Sequence, residues 1–417
     1  MKFITAFLIA GQLFLLACTA TPPHDIKNQA LSALENNDYR QAVTLLEKAL
    51  QSAPEDAELH YFLGQAYRQM QFADGGHINK LNLKLGEKAS AHFRKTIALS
   101  PNYEGQTFVV GPYSKIQSIW GATGMAYVES GDIDNAVIAF KRGRDEGGFY
   151  PAIMEYNKNI MASCEPNAIL FTNGDNDTYP MWYLQLVDSY RRDITVVNLS
   201  LLNVPWYIKQ LKNTYPFGTN PLAIEFDDEK IENLKAQKWA TQTVEIAAQP
   251  GNENPVHWSL APTIADKGVR VQDLMVMHIL KANNWQRPVY FSATVAEINK
   301  INLNDYLSYE GLVFRFSDRM QEPAQEKLQK NCFDVYTYTG VEDKHFQYVK
   351  ELHSMFGNYR SGFLSLADHY SATGRSAEVT KTLDFMNKKL PENLFPWSNP
   401  NMKAEMENLL HKASAQK

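Results

Sequence analysis

Along the first third of the chain, small and bulky apolar positions recur with a period of about 34 residues. With Pro54 set at the stop of a second helix, Ile26, Ala30, Ala33, Ala42, Leu46 and Ala49 fall on the apolar positions, and Asn37-Asp38-Tyr39 marks the turn. A second copy starts near residue 57, where Leu63, Gly64 and Tyr67 fit its first helix. Ala89, Phe93 and Pro101 fit its second helix once Gln71–Lys84, with Gly75-Gly76-His77, is read as an inserted exposed loop. A third copy starts near residue 117 and carries Trp120, Gly124, Tyr127, Ala136 and Phe140, with Gly131-Asp132 at the turn. A fourth, ending at Pro391, starts at 360 with Phe363, Leu366, Ala367, Tyr370, Gly374 and Leu383 in register. This is the spacing of tetratricopeptide repeats, helix pairs that stack into a solenoid. It predicts a helical repeat domain over 25–164 and helices of the same type over 346–417. Such an array either docks a protein or peptide or serves as scaffold alone.

Between 165 and 345 the pattern changes to that of an α/β domain. Ala168–Thr172 and Ile194–Leu199 are short apolar runs suited to buried parallel strands. Asn173–Asp177 is a dense turn signal, and a helix over 180–187 follows, with Thr178 or Asp177 as its N-cap and Pro180 in its first turn. Pro205 opens another helix. The polar stretch 213–268 predicts short strands and loops. Val271–Asn283 reads as a helix with His278 among its apolar residues, a core histidine rather than a ligand. Arg287–Ser292 is a third strand, and Glu310–Arg315 a turn and strand. The fold class is therefore mixed: an all-α tetratricopeptide-repeat array, then an α/β domain, then a C-terminal helical hairpin.

The N-terminus has its own pattern. Residues 1–17 hold one lysine, an apolar run and Ala17 before Cys18. The run is shorter than the roughly 20 apolar residues a spanning helix needs, so it reads as a signal peptide. Leu15-Leu16-Ala17-Cys18 fits a bacterial lipobox, which makes Cys18 the lipidation site and residues 18–24 a tether. Acyl chains there would make the membrane a partner. Thr19, with no acidic run after it, favours the outer membrane, facing the periplasm. The net charge of −5, with no long basic block, gives no nucleic-acid footprint. Of the three cysteines, Cys164 and Cys332 remain after lipidation, to pair or to stay as separate buried thiols.

In open α/β sheets ligands sit beyond the carboxyl ends of the strands. Those ends carry Asn173, Asp175, Asn176 and Asp177, then Asn198 and Ser200, then Ser292 and Thr294. Asp175 and Asp177 supply the oxygen donors that Ca²⁺ or Mg²⁺ prefers, and two carboxylates can also divide acid and base roles in glycoside hydrolysis. The competing reading has them satisfy turn amides and cap the helix. Phosphate-loop, His-Glu-x-x-His and Gly-x-Ser-x-Gly motifs do not occur.

Four strings, LFTNGDNDTYPMWYLQ (170–185), ITVVNLSLLNVPWYIKQLK (194–212), VRVQDLMVMHILKANNWQRPVYFS (269–292) and LSYEGLVFR (307–315), resemble the soluble C-terminal region of a bacterial membrane family. That family, common in Bacteroidetes, is described as protein-O-mannosyltransferase-like and is of unknown function. The resemblance covers roughly residues 165–390. It implies an accessory α/β region accompanied by tetratricopeptide-like repeats. The sugar-transfer residues of such enzymes lie in a polytopic membrane half, and none maps onto this sequence. The resulting expectation is a lipid-anchored periplasmic scaffold that binds protein, accessory to envelope glycan or glycoprotein assembly. The rival expectation is a carbohydrate-active enzyme or sugar-binding protein using Asp175 and Asp177.

Overall fold

A computed structural model describes residues 23–72, 80–213, 221–265, 267–318 and 324–415. The leader and Cys18 lie outside the described residues, as does segment 73–79 of the expected insert.

The chain opens with three helix pairs: α1 (Pro23–Glu35) with α2 (Tyr39–Ser52), α3 (Ala57–Gln71) with α4 (Leu83–Leu99), and α5 (Pro112–Glu129) with α6 (Ile133–Asp145). Each second helix starts at a side-chain cap, because its first amides have no partner within the helix. Asp38 accepts from the Gln41 amide at 3.1 Å, Asn82 from Leu85 at 3.2 Å, and Asp132 from Asn135 at 3.2 Å. Gly131 turns the third pair at φ +80°, where a side chain would be strained. The small positions are required by the partner helix: a Cβ on Gly124 would lie 2.6 Å from the Phe140 ring. Ala42 is fully buried between helices. Ala42→Trp is expected to destabilise the array by roughly 1–3 kcal/mol or more through overpacking, measurable by urea denaturation. The third pair begins at Pro112, earlier than the repeat register alone predicts, because proline suits the first helical position.

Helix α7 (Pro151–Ser163) follows, buried on most of its faces, and leads into β1 (Ile169–Thr172). Then come α8 (Tyr179–Leu186), β2 (Thr195–Asn198), α9 (Pro205–Asn213) and α10 (Asp228–Glu232). The polar stretch holds β3 (Gln237–Lys238), β4 (Gln242–Ile246), β5 (Val256–Leu260) and β6 (Gly268–Val269). Helix α11 (Val271–Asn283), β7 (Val289–Ser292), β8 (Leu307–Tyr309) and β9 (Val313–Phe316) complete the α/β region. The main sheet has the order β2-β1-β7-β9-β8. Its first three strands are parallel, with Leu170 opposite both Val196 and Tyr290, and every residue of the three is buried. Burial on both faces explains why they read as continuous apolar runs. The β8–β9 hairpin adds antiparallel strands at one edge. His278 accepts from the Glu225 amide at 3.0 Å and stacks on Phe226, a satisfied histidine. Cys164 and Cys332 are separate, buried thiols, which decides between the two readings of these residues.

Short helices α12 (Gln325–Lys330), α13 (Lys344–Tyr348) and α14 (His353–Phe356) lead to α15 (Asn358–Ala372) and α16 (Ser376–Lys389). The expected hairpin is a three-helix unit, because α17 (Pro400–Ala415) packs on both. The α15 end is fastened to α7: Asn159 donates to the Tyr359 hydroxyl and to the Thr337 carbonyl, each at 2.7 Å. Near the same junction the Gly111 amide, at the start of α5, donates to Glu351 at 2.7 Å, and Lys350 pairs with Glu104 at 2.7 Å. Among the described residues, no helix is long and apolar enough to cross a membrane.

Candidate functional site

The parallel strands β1 and β7 end side by side, and the turn Asn173–Asp177 leaves from the end of β1. Asp177 organises this turn. Its Oδ2 accepts from the Asn173 amide at 2.7 Å and from the Thr294 hydroxyl, and its Oδ1 accepts from the Gly174 amide at 2.7 Å. The side chain is buried. Burial pushes its carboxyl pKa up, opposed by the Asn173 amide, the Thr294 hydroxyl and the Gly174 amide. Sequence reasoning expected Asp177 or Thr178 to cap α8; neither side chain does so. Asp177 bonds backwards, to the amides that follow β1. Thr178 instead bonds Thr172 at 2.7 Å and receives Asn198 Nδ2 at 2.9 Å.

The remaining turn residues face the repeat array. Asp175, exposed, accepts from the Ser118 hydroxyl at 2.7 Å, and Ser118 accepts from Arg68 at 2.8 Å. Asn176 accepts from Gln117 at 2.8 Å through its side chain and from Asn157 at 2.9 Å through its carbonyl. Helices α3, α5 and α7 thus hold the turn from one side. On the other, Asn299 donates to the Asn173 side chain at 3.1 Å, and Ser200 to the Asn173 carbonyl at 3.2 Å. Buried Asn198 accepts from the Leu201 amide at 3.0 Å, closing the turn after β2.

A cleft of about 470 Å³ opens beside this turn, bordered by residues 173–177, Thr294, Ser354 and Asn358 among others. It brings together Asn173, Asp175, Asn176 and Asp177; Asn198 and Ser200 do not line it. The two aspartates do not act as an open pair, because Asp177 is consumed by the turn. Among the described residues, no group of three or more His, Cys, Asp or Glu could hold a metal ion. With both Asp177 oxygens taken up by the turn, Ca²⁺ and Mg²⁺ are expected to leave the melting temperature of the wild type unchanged; a shift that Asp175→Asn removes would restore the cation reading.

Sequence reasoning missed the polar residues of the repeat helices that meet the turn. Ser114, Lys115, Gln117 and Ser118 interrupt the apolar pattern of α5, and that interruption was the available signal. Lys115 is 4% exposed and forms no ion pair among the described residues. Burial pulls its pKa from 10.5 down to about 7, with Arg68 acting the same way and Asp175 opposing.

Residues 153–261 and 240–332 match TMEM260-associated domain 2. The family that this domain model describes is protein-O-mannosyltransferase-related. All four resembling strings fall inside the match, as do Asp177, Thr294 and the hairpin. The TMEM260-associated region starts within α7, so the helix that holds Asn176 is part of it. Residues 27–71, covering α2, α3 and most of α1, match a tetratricopeptide repeat. No curated protein matches the chain.

Proposed function

We propose that the chain is a protein-binding scaffold of the bacterial envelope, anchored by lipid at Cys18 and facing the periplasm. Its work would be accessory to glycan or glycoprotein assembly. The repeat match and the stacked helix pairs support protein binding, the usual use of such arrays. The TMEM260-associated match supports a glycosylation-related setting. The leader ending in Ala17-Cys18 supports the anchor. The observation that carries the reading is the direct fastening of array to domain, through Ser118 on Asp175 and Gln117 on Asn176. A partner held by the repeats would sit in fixed geometry beside the strand-end cleft.

Two measurements test this. Palmitate-analogue labelling of the full chain should give a membrane-bound, labelled protein, and Cys18→Ser should abolish both label and membrane fractionation. In-cell crosslinking should then recover a defined envelope partner with the wild type and lose it with Ala42→Trp. Labelling that persists in Cys18→Ser, or crosslinks indifferent to the array, would refute the corresponding half.

A second reading rests on the cleft itself. Its amide, hydroxyl and Asp175 lining suits a polar ligand such as a glycan. With Asp177 committed to the turn, this site would bind its ligand rather than cleave it by a carboxylate pair.

A further inference from the structure

At the opposite end of the sheet, where β7 begins, lies a second cleft of about 430 Å³, within the range of small-molecule sites. The β8–β9 hairpin builds its floor. Strand alternation puts Ser308 and Glu310 on one face, and Arg315 stands directly across from Ser308. The hairpin turns at Gly311, φ +101°, and the Glu310 amide closes it on the Val313 carbonyl at 2.9 Å. Both floor side chains are deeply buried, Ser308 at 3% exposure and Glu310 at 2%. Yet Ser308 Oγ and Glu310 Oε2 have no hydrogen-bond partner among the described residues. Burial raises the Glu310 pKa to about 7, against the opposing pull of Lys327 and Arg315. Other buried polar atoms among the described residues also lack a partner, but these two share the floor of one cleft, where a ligand or water can satisfy both.

The lining narrows the chemistry. Arg315 is taken up by Glu165, at 2.6 and 3.1 Å, so it is not free for an anion, and Glu310 would repel one. An apolar ligand would leave the floor oxygens dry, at a cost. A ligand rich in hydroxyls can donate to Glu310 and both donate to and accept from Ser308. Gln249 and Gln286 offer amides at the sides. Trp285 supplies an aromatic wall. Its ring is stacked on Phe316 at 5.0 Å and 6°, and its indole N–H is spent on the Ala247 carbonyl at 2.7 Å. Trp285 itself sits at φ +61°, a conformation rare for a bulky residue and one held here by these contacts. We infer that this cleft is a binding site for a neutral saccharide, with Glu310 and Ser308 receiving its hydroxyls and Trp285 its C–H face. The inference is independent of what the repeats or the strand-end cleft bind.

The test titrates the full chain with the methyl glycosides of mannose, glucose, galactose and N-acetylglucosamine, and with ethylamine. Binding is followed by Trp fluorescence and saturation-transfer NMR. At least one glycoside should bind saturably in the millimolar range or tighter. Glu310→Leu should weaken that binding at least tenfold while its melting temperature stays equal or rises, because an unpartnered buried carboxyl has been removed. Trp285→Ala should weaken it similarly, and decides the matter should Glu310→Leu not fold. No saturable glycoside binding, tighter binding of ethylamine than of any sugar, or unchanged affinity in the variants would overturn the inference.

Discussion

Asp177→Ala is expected to destabilise the protein by roughly 3–5 kcal/mol, more than the loss of an ordinary helix cap. An exposed cap contributes about 0.5–2 kcal/mol. Asp177 is buried, and its removal strands the Asn173 and Gly174 amides and the Thr294 hydroxyl together. Charged hydrogen bonds and the desolvation of orphaned donors both enter that figure. Asp177→Asn should fall between the two, because the amide keeps one acceptor and points a donor at groups that are themselves donors. Urea denaturation of the three proteins, with and without Mg²⁺, measures this. A loss near 1 kcal/mol for Asp177→Ala would mean that the turn re-forms without its carboxylate.

Lys115→Met should act in the opposite direction and stabilise the protein at pH 7. The gap between 10.5 and about 7, at about 1.36 kcal/mol per pH unit, sets a ceiling of about 5 kcal/mol. In the unfolded chain the amine stays protonated up to pH 10.5, whereas in the folded chain it loses its proton near pH 7. Folded stability therefore climbs as pH rises from 7 to 10.5, and the burden is fully present below 7. The advantage of the methionine variant should be greatest at pH 7 and shrink towards pH 10. Chemical denaturation at pH 7, 8.5 and 10 checks both sign and trend; a destabilised variant at pH 7 would show that Lys115 holds a favourable contact instead.

The helices of the array and the three parallel strands were legible because each imposes a period on the sequence. Ala42, Leu46 and Ala49 repeat on one helix face, and 168–172 and 194–199 are apolar throughout because both faces of the sheet are covered. Helix α17 fell within the helices expected over 346–417 but outside any repeat register, because its apolar residues are few, with Met406, Leu409 and Ala413 buried. The turn at Asn173–Asp177 was readable as a turn, but the direction in which Asp177 bonds was not. That direction depends on Thr294, more than a hundred residues away on the neighbouring strand end. Lys115 was the least legible. In sequence it is a lysine just before the expected start of a helix, and its burial is a property of the assembled fold. Glu310 is similar: alternation predicts its face, whereas its missing partner is a property of the assembled cleft.

The bond from the Gly111 amide to Glu351 spans 240 residues of chain. At synthesis rates of about 5–20 residues per second, the carboxylate that closes the start of α5 emerges some 12–48 s after the amide it will meet. The first two helix pairs can stack during that interval, since their capping residues lie within a few positions of the amides they serve. The third packs on the second as well, but its leading end stays bare until the last quarter of the polypeptide arrives. Nascent chains truncated before residue 351 should therefore show faster amide exchange at the leading end of α5 than the full chain does, an order of maturation that runs with the ribosome and ends with a latch.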